Sequence, residues 1–305
     1  METNTPEYRS GFVTLVGKPN VGKSTLLNGF LGQKVAAVSP RPQTTRRRQL
    51  GILTLEHAQI VFVDTPGMHK PVHKLGVLMN QEASETLPDA DVIILMVDAS
   101  QPPDEEDRLL IDKIQSIQTP PPILLALNKI DLVSPADKGT RTKGYLDLLP
   151  QAAPIEVSAE TGYQRDLLLQ EIIARLPEGP RYYDEAQITD LYERDIAADL
   201  IRESALVNLR DEVPHSIAVR IDEYKERSDG VAYIAATLFV ERDSQKGIVV
   251  GQKGSMIKKI GTTARQEIEK MSERKVFLEL NVKVSKNWRD DIQALRRLGL
   301  DRKDD

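Results

Sequence analysis

Along the first half of the chain, short apolar runs alternate with stretches whose apolar positions recur every three to four residues. The runs 12–16, 60–63, 92–97 and 123–127 are β-branched or aliphatic and end at turn residues. A strand exposed on one face would alternate apolar and polar positions, so uninterrupted runs predict strands buried on both faces of a parallel sheet. Between them, 24–31, 75–87 and 105–117 carry helical periodicity. This rhythm predicts a doubly wound α/β domain. The runs 50–55 and 60–63, joined by 56–59, read as one antiparallel hairpin at the sheet edge.

The rhythm ends near Leu176, and Pro177, Gly179 and Pro180 then interrupt the chain. The pattern beyond is different. A helix is expected over 189–210, then alternating runs at 216–224 and 232–240 with a turn at 228–230. A glycine-punctuated segment leads to a helix at 263–271, a strand at 276–284 and a final helix at 288–298. The fold class is therefore α/β, a mostly parallel sheet, followed by a smaller α+β module. Its expected boundaries are 8–177, a linker at 178–188, the module at 189–286, and a C-terminal helix and tail at 287–305.

Composition narrows the possibilities. A chain of 305 residues, 40% hydrophobic and 29% charged, is long enough for two cores of ordinary size. It has no cysteine, which excludes disulfides and thiolate chemistry and fits a cytoplasmic setting. Residues 1–10 are polar and do not read as a signal peptide. No run approaches the roughly 20 apolar residues of a spanning helix. Net charge is −5, yet between Lys246 and Arg297 there are 13 Lys/Arg against 6 Asp/Glu. Taken alone, such a surplus is more often a solvated surface than a binding face.

Candidate chemistry begins at Gly17-Lys18-Pro19-Asn20-Val21-Gly22-Lys23-Ser24, which fits the phosphate-loop pattern and lies between an expected strand and an expected helix. Small residues let the backbone wrap phosphates, and the amides and positive end of the helix face the anion. Lys23 is expected to reach the β- and γ-phosphates, the Ser24 hydroxyl to ligate Mg2+, and Thr25 to follow in the same helix turn. Asp64-Thr65-Pro66-Gly67 closes the next core strand. Its carboxylate can hold the metal, and the Gly67 amide can sense a γ-phosphate. Asn128-Lys129-Ile130-Asp131 closes the strand 123–127. A carboxylate at Asp131 can accept two hydrogen bonds from guanine, which adenine cannot donate. Ser158 and Ala159, after an expected strand at 155–157, are expected to offer a backbone amide near the base. Each piece has a bland explanation as an ordinary turn, but four in this order at four strand ends do not.

The segment 38–46 is polar and contains proline, as a nucleotide-sensing loop does. Thr45 or Thr44 is the expected second hydroxyl on the metal, with Thr45 preferred. Lys23, Thr45 and Gly67 are then the candidate catalytic groups, and Ser24, Thr45 and Asp64 the candidate metal ligands. Where Ras-type enzymes orient water with glutamine, this chain has Met68, so no general base is assigned and slow turnover is expected. Arg46, Arg47 and Arg48 enter a strand on alternating sides, so most of them are read as solvated or touching a partner rather than as an arginine finger.

In the second module, Gly251-Gln252-Lys253-Gly254 sits between an apolar stretch and a helical one. Its glycines permit close approach of a phosphodiester backbone, with Ile257, Lys258 and Lys259 alongside, the arrangement of a KH loop that clamps about four single-stranded nucleotides. Ile248, Val249 and Val250 are candidates for an apolar groove, with core packing the commoner fate. Trp288 could stack on a base, although packing is again the commoner role.

Together, GKPNVGKSTLLN, PQTTR, DTPGMHKP, NKID, VSA, VVGQKGSMIKKIGTTAR and WRDDIQALRRLG resemble one family, the bacterial Era GTPases, from Gly11 to about Leu300. The resemblance implies a Ras-like G domain joined to a type II KH domain, GTP and GDP with Mg2+ as ligands, and a monomeric chain. It implies binding to the 3′ end of 16S rRNA, a role in maturing the small ribosomal subunit, and peripheral association with the inner membrane. It also implies a potassium ion near Asn20. Asn281 departs from the pattern, since many relatives carry an aromatic there. Two other readings stand beside this one: an RNA-binding scaffold whose hydrolysis is incidental, and a membrane-surface signalling GTPase.

Overall fold

The computed structural model describes residues 8–39, 44–227 and 230–301. Residues 40–43 of the expected sensing loop, Ser228 and Asp229 of the expected turn, the first seven residues and the last four lie outside the described residues. The chain divides into two compact units. Unit 1 holds Thr45–Lys70, Met79–Asp190 and the described residues before Lys34. Unit 2 holds the remainder, chiefly Leu191 onward.

Unit 1 is built on a six-stranded sheet. Its strands are β1 (Arg9–Val16), β2 (Gln49–Thr54), β3 (Ala58–Asp64), β4 (Val92–Asp98), β5 (Ile123–Asn128) and β6 (Ala153–Glu156), in the order β2-β3-β1-β4-β5-β6. All neighbours are parallel except the β2–β3 hairpin at one edge. Its helices are α1 (Lys23–Leu31), α2 (Lys74–Glu85), α3 (Glu105–Gln115), α4 (Lys138–Leu146) and α5 (Arg165–Arg175). Ile93, Leu95, Leu125 and Leu127 are essentially inaccessible and share a cluster with Leu110 and Ile114 of α3. Burial on both faces explains the continuous apolar runs. At roughly 25 cal/mol per Å2 of apolar surface, such burial is the main favourable term for this domain. Strand order reverses at β1, whose neighbours are β3 and β4. In sheets of this class ligands bind at the carboxyl ends around that point.

The segment expected as a linker is strapped along unit 1. Gly179 N–H donates to Tyr8 O at 3.1 Å, and Ser10 Oγ donates to Pro180 O at 2.6 Å. Gln59 Oε1 accepts from the amides of Tyr182 and Tyr183, and Ile52 N–H donates to Ile188 O.

Unit 2 carries α6 (Glu193–Asn208), β7 (Ala218–Glu226), β8 (Ala232–Val240), α7 (Asp243–Val250), α8 (Ser255–Ser272), β9 (Val276–Val284) and α9 (Ile292–Arg297). β7 and β8 are antiparallel, β8 and β9 parallel. Ala197, Leu200 and Ile201 of α6 and Ile260, Ala264 and Ile268 of α8 bury one helix stripe each in a shared core with Ile234, Ala236 and Leu238 of β8. One expected boundary changes here. The helix read at 263–271 begins at Ser255. Gly261, Thr262 and Thr263 disguise its first half because glycine and β-branched residues are poor helix formers, and packing at Ile260 and Ala264 overrides that preference. Trp288 is fully buried, with Nε1–H donated to Ser216 O at 2.9 Å, so it packs and does not stack on a base.

Candidate functional site

The phosphate loop leaves β1 and enters α1 through Gly22, whose backbone is left-handed at φ 108°. A Cβ at Gly22 would lie 2.3 Å from Asn128 Nδ2, so only glycine fits beneath that side chain. Asn128, at the end of β5, donates Nδ2–H to Val21 O at 2.6 Å, and its Oδ1 accepts from Ala159 N at 2.8 Å. One amide thus ties together the phosphate loop, the Asn128–Asp131 turn and the Ser158–Ala159 loop. Those three segments come from distant parts of the chain.

Lys23 is buried, and its Nζ donates to Gly17 O and Lys18 O, both at 3.0 Å. Burial pushes its ammonium down to about 8, only partly opposed by the charge of Asp64. The Asp64 carboxyl is raised by its own burial, against the pull of Lys23 and three hydrogen-bond donors. A buried charge away from water is costly, so both groups are matched to ligands of opposite sign.

Those ligands are legible in the donor set. Ser24 Oγ lies 2.9 Å from Thr45 Oγ1 and donates to Asp64 Oδ2 at 2.9 Å, and Thr45 Oγ1 reaches the same oxygen at 3.3 Å. Asp64 Oδ1 is buried and has no hydrogen-bond partner. Two hydroxyls and a carboxylate with an unused oxygen form a hard-oxygen set, which suits Mg2+ and not a thiolate- or imidazole-seeking metal. Among the described residues no cluster of three His, Cys, Asp or Glu offers a rival metal site. Gln49 completes the group by donating Nε2–H to Asp64 Oδ2 at 3.2 Å. Sequence reading missed Gln49, because nothing marks a glutamine at a strand start until the antiparallel register places it opposite Asp64.

Gly67 lies against the phosphate loop so closely that a Cβ would come within 2.6 Å of Pro19 N. Thr65 donates its hydroxyl to Leu15 O at 2.7 Å, and Met68 N–H donates to Gly17 O at 3.3 Å. The Asp64–Gly67 turn is therefore laced to β1 and the loop. The buried Thr65 hydroxyl thereby braces the turn. The Met68 side chain is buried with Val16, Ala83 and Leu87. His69 turns Nδ1 toward Gly67 O at 3.0 Å. Arg46 is the buried member of its run, 4% exposed. Arg48 is exposed, as expected.

At the base-reading end, Lys129 takes left-handed geometry, φ 60°, and Asp131 is exposed in a short turn, Ile130–Leu132. Ile130 is core. Lys129 Nζ donates to Asp98 Oδ2 at 2.6 Å, and Asp98 Oδ1 is fixed by Ser100. Lys129 depresses the Asp98 carboxyl, although burial opposes it. Asp98 was also missed, yet a carboxylate closing a core strand was a signal. Ser158 N–H donates to Tyr163 O at 3.1 Å. With Ala159 N–H held by Asn128, both expected base-facing amides are engaged within the protein.

In unit 2, Gly251 (φ 72°) ends α7 and Gly254 (φ 78°) caps α8. A Cβ at Gly251 would meet Met256 N at 2.7 Å. Gln252, Lys253, Lys258 and Lys259 are exposed and Ile257 is half-buried. The first turn of α8 holds no acidic residue, so its positive end is uncompensated. Of the expected groove, Val249 is core while Ile248 is 50% exposed. Asn281 is exposed on β9.

Residues 12–129 match the family described as a 50S ribosome-binding GTPase, and residues 212–289 match the KH domain. The chain is 45% identical over 292 residues to GTPase Era of Ruminiclostridium cellulolyticum, covering 96% of this chain and 97% of that one. It is 46% identical to GTPase Era of Geobacter metallireducens over 293 residues, covering 96% and 98%. A crystal structure of Era in complex with MgGDPNP and nucleotides 1506–1542 of 16S ribosomal RNA superposes with a TM-score of 0.91 at 39% identity. The match covers 96% of this chain and 99% of that one. A single-residue variant of Aquifex aeolicus Era bound to GDP.AlF4- gives the same TM-score, identity and coverage.

Proposed function

The chain belongs to the Era family of GTPases, and from that premise we propose that it is a slow GTP-hydrolysing switch that binds the 3′ end of 16S rRNA and assists small-subunit maturation. The observation that carries the nucleotide half is the meeting of Ser24, Thr45 and buried Asp64 beside the phosphate loop. Mg2+ bound there would neutralise charge developing on the phosphates. Lys23 would stabilise the same charge from the loop, and the amide of Gly67 would bond the γ-phosphate. Asp131 would read guanine, with Lys129 held beside it by Asp98. Met68 offers nothing to orient water, so hydrolysis rests on positioning and charge, with potassium at Asn20 as a further proposed cation.

For RNA, the Gly251–Gly254 loop with Lys253, Lys258 and Lys259 would grip the phosphodiester backbone, and Ile257 would border the bases. GTP would change RNA affinity only by binding the two conformational states unequally. The same reading holds the chain to be monomeric, cytoplasmic and peripherally associated with the inner membrane through its basic segment. No helix of the described residues is long and apolar enough to cross a membrane.

The test is a filter-binding titration of the full chain with the rRNA 3′ end, in GDP and in a non-hydrolysable GTP analogue. Nucleotide-dependent affinity that disappears when Gly251 and Gly254 are both replaced by Asp supports the switch. Equal affinities, together with growth rescue by a hydrolysis-dead variant, would favour the scaffold.

A further inference from the structure

One charged cluster in unit 1 joins the phosphate loop to the start of α3. Lys18, the second residue of the phosphate loop, directs Nζ to Asp104 Oδ2 at 2.6 Å and to Asp107 Oδ2 at 2.9 Å. These aspartates are the capping box of α3. Asp104 Oδ1 accepts from Asp107 N, and Asp107 Oδ2 accepts from Asp104 N, both at 3.1 Å. Asp104 is 56% exposed, but Asp107 is 2% exposed and the Lys18 side chain 13%. Tyr145 of α4, fully buried, sets its hydroxyl 3.4 Å from Asp107 Oδ2 and 3.3 Å from Asp98 O.

A capping box needs no lysine, because its two carboxylates satisfy backbone amides reciprocally. Lys18 adds a link between α3 and the loop. The Lys18 carbonyl is one of the two that hold Lys23 Nζ. The connection therefore runs from Asp107 through the Lys18 side chain to its backbone, and from there to the lysine that meets the phosphates. An ion pair as buried as Lys18–Asp107 is screened little by solvent, and removing one partner strands the other. The exposed Asp104 contributes chiefly as a cap.

We propose that Asp107 is a positioning residue for GTP hydrolysis: acting through Lys18, it fixes the turn of the phosphate loop that aims Lys23 at the transferred phosphoryl group. This rests on the reading of the chain as a GTPase. A positioned Lys23 matters most where charge develops, so the effect belongs in kcat and not in KM.

The experiment measures Mg2+-dependent GTP hydrolysis by the full chain and its variants Lys18→Met, Asp107→Asn, the double variant and Lys18→Arg. Asn at 107 keeps an acceptor for the Asp104 amide and removes the charge. Each of Lys18→Met and Asp107→Asn is expected to lower kcat about tenfold with KM changed less than about twofold. The double variant should be no slower than Lys18→Met, and Lys18→Arg should recover most of the rate. Tyr145→Phe, which keeps the ring, should lower kcat by about threefold. Multiplied losses in the double variant, or melting temperatures that fall with kcat unchanged, would overturn the proposal and leave a cap alone. If Asp107→Asn does not fold, the contrast between Lys18→Met and Lys18→Arg decides, and no rescue by arginine overturns it. A wild-type chain inactive toward GTP would instead remove the reading beneath the proposal, so the two failures are distinguishable.

Discussion

Two glycine loops introduce helices in this molecule, and they are built on opposite terms. Gly22 caps α1 and Gly254 caps α8, both in left-handed geometry. Around the first, Lys23 is buried, Asn128 spans three segments, and Asp64 gathers Ser24, Thr45 and Gln49. Around the second, Lys253, Lys258 and Lys259 lie in solvent. A Cβ at Gly22 would strike Asn128, while one at Gly254 would meet nothing within 4 Å. A site that selects one small ligand gains from donors fixed during folding, since no ordering cost is left for binding. A site that grips a flexible polyanion can leave its charges mobile, because counterion release supplies much of the affinity.

The contrast can be broken by substitution. The largest effect is expected at Asp131, the single carboxylate assigned to guanine. Asp131→Asn should reduce preference for GTP over XTP by about a thousandfold or more, because a site built to hydrogen-bond a ligand rejects one that lacks the group. Competition binding measures this, and intact guanine selectivity would show that the pocket is misassigned. Next comes alanine at the two capping glycines. Gly22→Ala combines strain at φ 108° with a contact against Asn128 and should weaken nucleotide binding about a hundredfold. Gly254→Ala carries backbone strain only, about 1 kcal/mol, and should weaken RNA binding no more than about fivefold. Calorimetry and filter binding supply the two numbers. Comparable losses would mean that the second loop is as closely packed in use as the first.

The same contrast explains what the sequence disclosed. Buried strands such as β4 and β5 were legible because burial on both faces leaves an apolar run, and the phosphate loop because its function constrains consecutive residues. Gln49 was not legible, and Asp98 showed only as a carboxylate closing a core strand, without its partner. Each acts on a residue that only the folded chain brings near, Asp64 across the hairpin and Lys129 beyond the neighbouring strand. Arg46 could not be singled out as the buried member of its run, because sequence alone gives no partner for a guanidinium. α4 was absent from the pattern because Lys-Gly-Thr-Arg-Thr-Lys-Gly offers no apolar period, and Tyr145 alone anchors it fully. The start of α8 was misplaced for the converse reason, since its buried stripe outweighs the weak helix formers within it.

A change of only about threefold across salt probes the open loop. Each lysine neutralising a phosphate of single-stranded RNA adds about 0.7 to the slope of log affinity against log salt. Lys259→Gln should therefore weaken RNA binding about eightfold at about 50 mM salt and only about threefold at about 200 mM, measured against a 1 M reference. Lys23 is buried and its charge is little screened by bulk salt, so Lys23→Gln should cost nucleotide affinity by a factor that hardly changes over the same range. Filter binding for the first variant and calorimetry for the second, each repeated across salt, test the pair. A Lys259 effect that ignores salt would place that ammonium in a specific, dehydrated contact, and the two loops would then differ in shape alone.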